Sequence, residues 1–112
     1  MVAKKPEHPM VFFTGIKEFT IVQRSLNKDN LYGCVEFPKS VLTIDPTQCI
    51  EDYKGTLLHE ICHIGFELYG LGEDEDMPQL GNEFLTTVTS NMIQQLATLN
   101  KELFEFIFDS AK

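Results

Sequence analysis

A long apolar helix in the middle of the chain constrains the fold more than any other feature. From Asp45 to about Tyr69, apolar residues recur at the three- and four-residue spacing of a helix. One stripe is expected to face a sheet: Ile50, Tyr53, Leu57, Ile61, Ile64 and Leu68. Because Leu58, Cys62 and Phe66 lie outside this stripe, most of the circumference is apolar. We therefore predict that the helix is sandwiched between a sheet and a second helix.

Residues typical of helix ends mark the limits of this segment. Asp45 suits the N-cap, Pro46 suits the first helical position, and Gln48 follows the cap by three residues. Together they would satisfy the free N–H groups of a first helical turn. Gly70 then favours an end to the helix just after Tyr69.

The segments around the helix predict an α+β fold. Four stretches ahead of it have the composition or alternation of short strands: 11–13, 17–24, 31–37 and 41–44. They predict a three- to four-stranded, mostly antiparallel sheet, with a polar loop over 25–30. An acidic run over 73–76 follows the helix, and a second helix is predicted from about Leu80 to Leu99. Asn100 is placed to cap a short third helix.

Length and charge limit the class of protein. The chain has 112 residues, of which 43% are apolar, so it fits one small domain over 11–112 behind a flexible leader over 1–10. The formal net charge is −8 and only 9 residues are Lys or Arg, which argues against nucleic acid as a partner. No segment has the apolar length of a membrane span, so no membrane partner is expected.

The cysteines indicate the compartment. There are three, Cys34, Cys49 and Cys62, without the paired spacing of a disulfide framework. Disulfides persist in oxidising compartments and thiols in reducing ones, so we predict a cytoplasmic protein. Oligomeric state is left open.

The sequence "LLHEICH" places two histidines four residues apart on the long helix. His59 and His63 are neighbours on one face, nearly opposite Leu57, and are expected at the interface with the second helix. Two such imidazoles can bind one zinc ion, and Glu60 between them can act as a general base on water. Without further residues, the same pattern fits two histidines on an ordinary buried helix equally well.

A third metal ligand would favour the zinc interpretation. Glu67 lies eight residues after His59, about 12 Å of helical rise, which is too far for one ion. Glu83 is the better candidate, because it opens the second helix 20 positions after His63 and the intervening loop can fold that helix back. On an ideal helix, however, Glu83 lies away from the apolar stripe. Either the second helix is covered on two sides or Glu83 faces solvent.

Three stretches of the chain resemble a known class of enzyme. The runs "TLLHEICHIGFELYG", "GNEFLTTVTSNMIQQL" and "LNKELFEFI" look like the minimal zinc metallopeptidases encoded by phages and bacteria, and their ligand pattern is similar to that of thermolysin-type gluzincins. The resemblance covers about 31–108. It implies that His59, His63 and Glu83 bind Zn²⁺, that water takes the fourth position, and that Glu60 is the base.

The chain also departs from the gluzincin pattern. Thr87 stands where gluzincins often carry an aspartate that orients a ligand histidine, and no second domain supplies an oxyanion-stabilising side chain. The available phenols belong to Tyr32, Tyr53 and Tyr69, which we interpret as packing residues.

Three functions remain open from the sequence. The leading prediction is a zinc metallopeptidase that hydrolyses a peptide or protein substrate with zinc-activated water, with an extended substrate adding to the strand at 31–37. The second is a zinc-stabilised binding or regulatory module with little activity. The third is an acidic interaction protein, such as a DNA mimic that inhibits a nucleic-acid-binding enzyme.

Overall fold

Four strands precede three helices in the computed structural model of this chain, which confirms the α+β class. The structure describes residues 5–26, 31–68 and 82–109, with backbone alone over 82–86. The elements are β1 Val11–Phe13, β2 Glu18–Gln23, β3 Gly33–Glu36, β4 Val41–Ile44, α1 Ile50–Leu68, α2 Asn82–Leu99 and α3 Lys101–Phe108. The predicted acidic loop over 73–76, Tyr69 and most of the polar loop over 25–30 lie outside the described residues. Within the described part of the chain, no helix is long and apolar enough to cross a membrane.

The sheet is mixed. Its strand order is β1-β2-β4-β3, with β1 and β3 at the edges. The β1–β2 and β3–β4 pairs are antiparallel, as predicted, but β2 and β4 are parallel. The chain therefore crosses from β2 to the far edge, forms β3, and returns as β4 beside β2. Alternation of apolar residues reports the buried face of a strand but not the direction of its neighbour, which is why the parallel pair was not predicted.

The sheet and all three helices share one apolar core. Tyr53, Leu57, Ile61 and Ile64 on α1 are fully buried, as the apolar stripe predicted. α1 contacts β3 and β4 of the sheet and also contacts α2 and α3. The predicted sandwich is therefore confirmed, with α3 as an additional cover. The largest buried members of the core are Phe12, Phe19, Leu42, Ile44, Met92, Leu96 and Leu103.

Asp45 does not cap α1 directly. The helix begins at Ile50, and the buried Asp45 carboxylate instead organises the turn before it. One oxygen accepts hydrogen bonds from the Thr47 amide at 2.9 Å and hydroxyl at 2.6 Å, and the other accepts from the Leu26 amide at 3.0 Å. Burial opposes its charge, but these donors hold the pKa of Asp45 below its ordinary value. Asp45, predicted to be the helix cap, thus links the turn before α1 to the segment that follows β2 through hydrogen bonds.

Asn100 occupies the predicted cap position before α3, but its side chain bonds to β1 instead. The Asn100 amide accepts from the Phe13 N–H at 2.7 Å and donates to the Phe13 carbonyl at 2.6 Å. It also donates to the Leu96 carbonyl at 2.9 Å and makes no capping bond to α3. Asn100 therefore covers the outer edge of β1 as a neighbouring strand would.

The segment before β1 lies against the core through polar contacts. Gln23 donates to the Pro6 carbonyl at 2.9 Å, and the Ile21 amide donates to Met10 at 2.8 Å. His8, in the segment predicted to be a flexible leader, is half-buried, with its Nε2 2.6 Å from the Tyr53 hydroxyl. Desolvation lowers the pKa of His8, so the structure favours the neutral ring that accepts from Tyr53.

Candidate metal centre

His59 and His63 converge on one point beside α1. Their Nε2 atoms are 3.0 Å apart, and their ring planes are inclined by 84°. A tetrahedral zinc ion with bonds of about 2.05 Å needs two ligand nitrogens about 3.3 Å apart. The pair therefore fits one zinc ion after a change of a few tenths of an ångström. The spacing predicted from the sequence gives the expected convergence.

Both histidines are open to solvent. The interface predicted between α1 and α2 does not cover them, since both residues are exposed and 66% of the His59 side chain is accessible. The reason is the position at which α2 packs on α1. Its buried Met92 meets α1 at Gly65, beyond the pair. The prediction that the histidines lie in the interface between the two helices was therefore wrong. Because they are exposed, there is space for a substrate beside them.

Glu60 lies between the histidines and strand β3. Only 7% of this residue is exposed, and its Oε2 atom is 4.0 Å from the His59 Nε2 atom. Among the described residues, no donor makes a hydrogen bond to its carboxylate. Burial raises the pKa of Glu60, although the nearby histidines partly oppose this shift. A carboxylate with a raised pKa is a stronger base, which suits the predicted role.

Gly33 on β3 allows Glu60 to occupy this position. A Cβ atom added at Gly33 would lie 3.1 Å from Glu60 Cγ and 2.8 Å from Thr56 Cγ2. A side chain there would displace Thr56 and Glu60, so glycine allows the close approach of β3 to the site. The sequence offered no sign of this role, because it depends on a contact between distant segments.

The described side chains do not include a third ligand for the ion. Glu83 lies in the first turn of α2, as predicted, but its side chain is outside the described residues. Within the described ranges, no group of three His, Cys, Asp or Glu side chains is arranged to hold a metal ion. Thr87, at the position where gluzincins often carry an orienting aspartate, is exposed.

A cavity of about 720 Å³ lies beside Glu60 and extends towards the start of α1. Its lining comprises Tyr32, Gly33, Gln48, Glu51, Asp52, Gly55, Thr56, His59 and Glu60. The Thr56 hydroxyl donates to Gln48 at 2.8 Å and so links the α1 wall to the turn before the helix. Tyr32, predicted to be a packing residue, is 64% exposed at the cavity, while Tyr53 is a packing residue as predicted. The sequence pattern predicted a strand from residue 31, but it did not indicate whether the Tyr32 side chain faces the core or solvent.

The outer edge of β3 borders the same cavity. The Asp45 amide donates to the Tyr32 carbonyl at 2.9 Å, so residues 32, 34 and 36 direct their backbone polar groups towards β4. Gly33 and Val35 therefore direct theirs away from the sheet. Since Asn100 covers Phe13 on β1, the edge beside the histidines is the better one for adding a strand.

Comparison with known proteins leaves the family undecided. The chain matches no protein-family model, and no curated protein or solved structure is significantly similar to it. The resemblance to gluzincins stays a prediction that rests on the motif and its spacing.

Proposed function

We propose that this protein is a cytoplasmic zinc-dependent peptidase. The observation that carries the proposal is the convergence of the His59 and His63 Nε2 atoms at 3.0 Å, with the buried Glu60 carboxylate beside them. A pair of histidines used only for packing would be buried, whereas these two are exposed, and His59 lines a cavity that borders the edge of β3.

His59, His63 and Glu83 would hold the ion, which supplies Lewis-acid polarisation of water and of the substrate carbonyl. Glu60 then accepts a proton from the attacking water at Oε2, as the water oxygen bonds to the carbonyl carbon. The same carboxyl group donates that proton to the amide nitrogen as the C–N bond breaks. Its restricted contact with solvent keeps the proton near the reacting atoms.

The substrate would bind as an extended strand along β3. The backbone groups of Gly33 and Val35 that face away from β4 supply donors and acceptors for this pairing. Gly33 lies against Glu60, so a strand paired there brings a peptide bond close to the base. The exposed edge of β3 would therefore position the substrate beside the base.

Metal content of matched variants tests the proposal. Purified protein should contain about one zinc per chain, His63→Ala and Glu83→Gln should each lower that content, and Glu67→Gln should leave it unchanged. Glu67 is the control because it is an exposed carboxylate on α1, the helix that carries His63, and Glu67→Gln loses the same charge as Glu83→Gln. Folded wild-type protein that binds no zinc would refute the metal site.

Glu60→Gln separates catalysis from metal binding. We expect this variant to retain zinc and to lose cleavage of any peptide that the wild type cuts from a library. Zinc in the wild type with no cleavage of any library peptide would instead favour the zinc-stabilised binding module. A basic protein partner that still binds after both histidines are replaced would favour the acidic interaction protein.

A further inference from the structure

Residues 5–9 form a strap that lies against the core ahead of β1. His8 anchors this N-terminal strap, since its ring centroid is 4.8 Å from that of Phe106 and 5.6 Å from that of Tyr53. Tyr53 is fully buried and Phe106 is also buried. Backbone pairing with β2 begins at Met10, whose carbonyl accepts a hydrogen bond at 2.8 Å. The strap therefore lies outside the sheet and covers two aromatic rings of the core.

A network of four hydrogen bonds joins the strap to β2 and α1. Gln23 on β2 donates to the Pro6 carbonyl at 2.9 Å and to the Tyr53 hydroxyl at 2.8 Å. Nε2 of His8 lies 2.6 Å from the same hydroxyl, and Nδ1 lies 2.8 Å from the Pro9 carbonyl. The network thus begins and ends at a backbone carbonyl of the strap.

These two carbonyls fix every donor and acceptor in the network. A carbonyl can only accept, so the Gln23 amide group donates at one end and Nδ1 of His8 donates at the other. The Tyr53 oxygen accepts the second N–H of Gln23, and its own O–H is left to donate to Nε2 of His8. Nε2 must then carry no proton. Four hydrogens serve four contacts, and this count is met by the neutral form of His8.

A proton added to His8 gives the network one hydrogen too many. The new Nε2–H and the Tyr53 O–H would point at each other, and a hydroxyl that turns away loses its acceptor at a fully buried residue. Gln23 cannot turn its amide oxygen towards Tyr53 to accept this hydrogen without losing its bond to Pro6. Burial opposes the charged ring as well, and it lowers the pKa of His8 from the ordinary value of 6.5.

The charged groups near the ring do not favour its protonation. Lys54 on α1 has its Nζ atom 5.2 Å from the centroid of the Phe106 ring, so a charged His8 would place a second cation against that ring. Its neighbours along the chain and those of its contact residues are exposed, and solvent screens their charges. These exposed groups are Glu7, Arg24, Asp52 and Glu105, and Asp109 accepts from Lys54 through its carbonyl.

We infer that protonation of His8 releases the N-terminal strap while the sheet and helices stay folded, so that acidification uncovers Tyr53 and Phe106. The strap is seated at neutral pH, where the hydrogen-bond count is satisfied. Release stops at Met10, because its bond to β2 involves backbone groups that do not titrate. The inference does not depend on the metal site or on the proposed peptidase function.

Backbone ¹⁵N relaxation of the full chain, measured from about pH 7.5 to about pH 4.5, tests the release. The order parameters of the Glu7 and His8 amides should fall from about 0.85 to below about 0.6, with those of Phe19 and Leu42 unchanged. The midpoint should coincide with the pKa of the His8 ring, below 6.5. A strap that is ordered in both forms of His8, mobile already at neutral pH, or lost together with Phe19 and Leu42 would overturn the inference.

Replacement of the imidazole separates His8 from other titrating groups. The amide of His8→Gln can accept from Tyr53 and donate to Pro9, but it does not titrate, so the strap should stay ordered over the whole pH range. His63→Gln, in metal-free protein, removes an exposed imidazole elsewhere and should leave the transition in place. The same acid-induced loss of order in His8→Gln would overturn the assignment to His8.

A single-group change at Gln23 tests the hydrogen count directly. The carboxylate of Gln23→Glu can accept the Tyr53 O–H, which frees the tyrosine oxygen to accept Nε2–H, so the pKa of His8 should rise above its wild-type value. Gln94→Glu adds the same charge on the exposed side of α2 and should leave that pKa unchanged. Equal shifts in the two variants, or no rise in Gln23→Glu, would overturn the proposed network.

Discussion

Alanine at Gly55 and alanine at Gly65 are expected to change the stability of the protein in opposite directions. Both glycines lie inside α1, where alanine is favoured over glycine by about 0.5–1 kcal/mol. A Cβ atom at Gly55 would meet nothing within 4 Å. Gly55→Ala should therefore raise the free energy of unfolding by about the full helical preference, 0.5–1 kcal/mol.

Gly65 has the same helical preference but no space. Its Cβ atom would lie 2.5 Å from Met92 Sδ, 3.0 Å from Cε and 3.1 Å from Cγ. Met92 is fully buried, so its side chain has little freedom to move away. Overpacking of this kind costs about 1–3 kcal/mol, which is generally more than the helical gain of about 0.5–1 kcal/mol. Gly65→Ala should therefore lower the free energy of unfolding. Because the backbone term cancels, the difference between the two alanine variants measures the Met92 clash alone.

Urea denaturation of metal-free protein measures this difference. The midpoint of Gly55→Ala should lie about 1 M above that of Gly65→Ala, with similar slopes. In a double-mutant cycle, Met92→Ala should recover at least about 1 kcal/mol of the Gly65→Ala loss. Equal midpoints for the two alanine variants, or strict additivity in the cycle, would refute the close packing of α2 on α1. If Glu83 is a ligand, Gly65→Ala should also weaken zinc binding.

Three further variants test other parts of the structure. Burial lowers the pKa of His8 in the folded state, so its contribution to stability is present above the unfolded pKa of about 6.5 and is lost as pH falls through the folded value. The urea midpoint of wild type should thus fall more steeply from pH 7 to 5 than that of His8→Gln, and parallel slopes would contradict this. Asn100→Ala should cost about 1–3 kcal/mol because both Phe13 backbone groups lose their partner, whereas Asn91→Ala at an exposed site should cost under about 0.5. Glu60→Gln should raise the thermal midpoint of metal-free protein at neutral pH, since burial disfavours the charged carboxylate; an unchanged or lower midpoint would contradict its burial.

Local patterns were sufficient to predict most of the elements. The predicted strands over 11–13 and 41–44 match β1 and β4, and the apolar stripe of α1 is buried along its middle. Capping signals were less informative, because a polar side chain can bond to any suitable group nearby. Asp45 bonds to Leu26 and Asn100 bonds to Phe13, partners that are 19 and 87 positions away in the chain.

The sequence by itself determined the α+β class, the α1 helix and the one-turn spacing that brings His59 and His63 together, because helical periodicity is a local property. Only the tertiary structure decided that these histidines are exposed, that Gly33 lies against Glu60, and that Tyr32 borders a cavity. Each of these depends on the strand order β1-β2-β4-β3 and on where α2 crosses α1. Such contacts join residues far apart in the chain, and no local pattern encodes them.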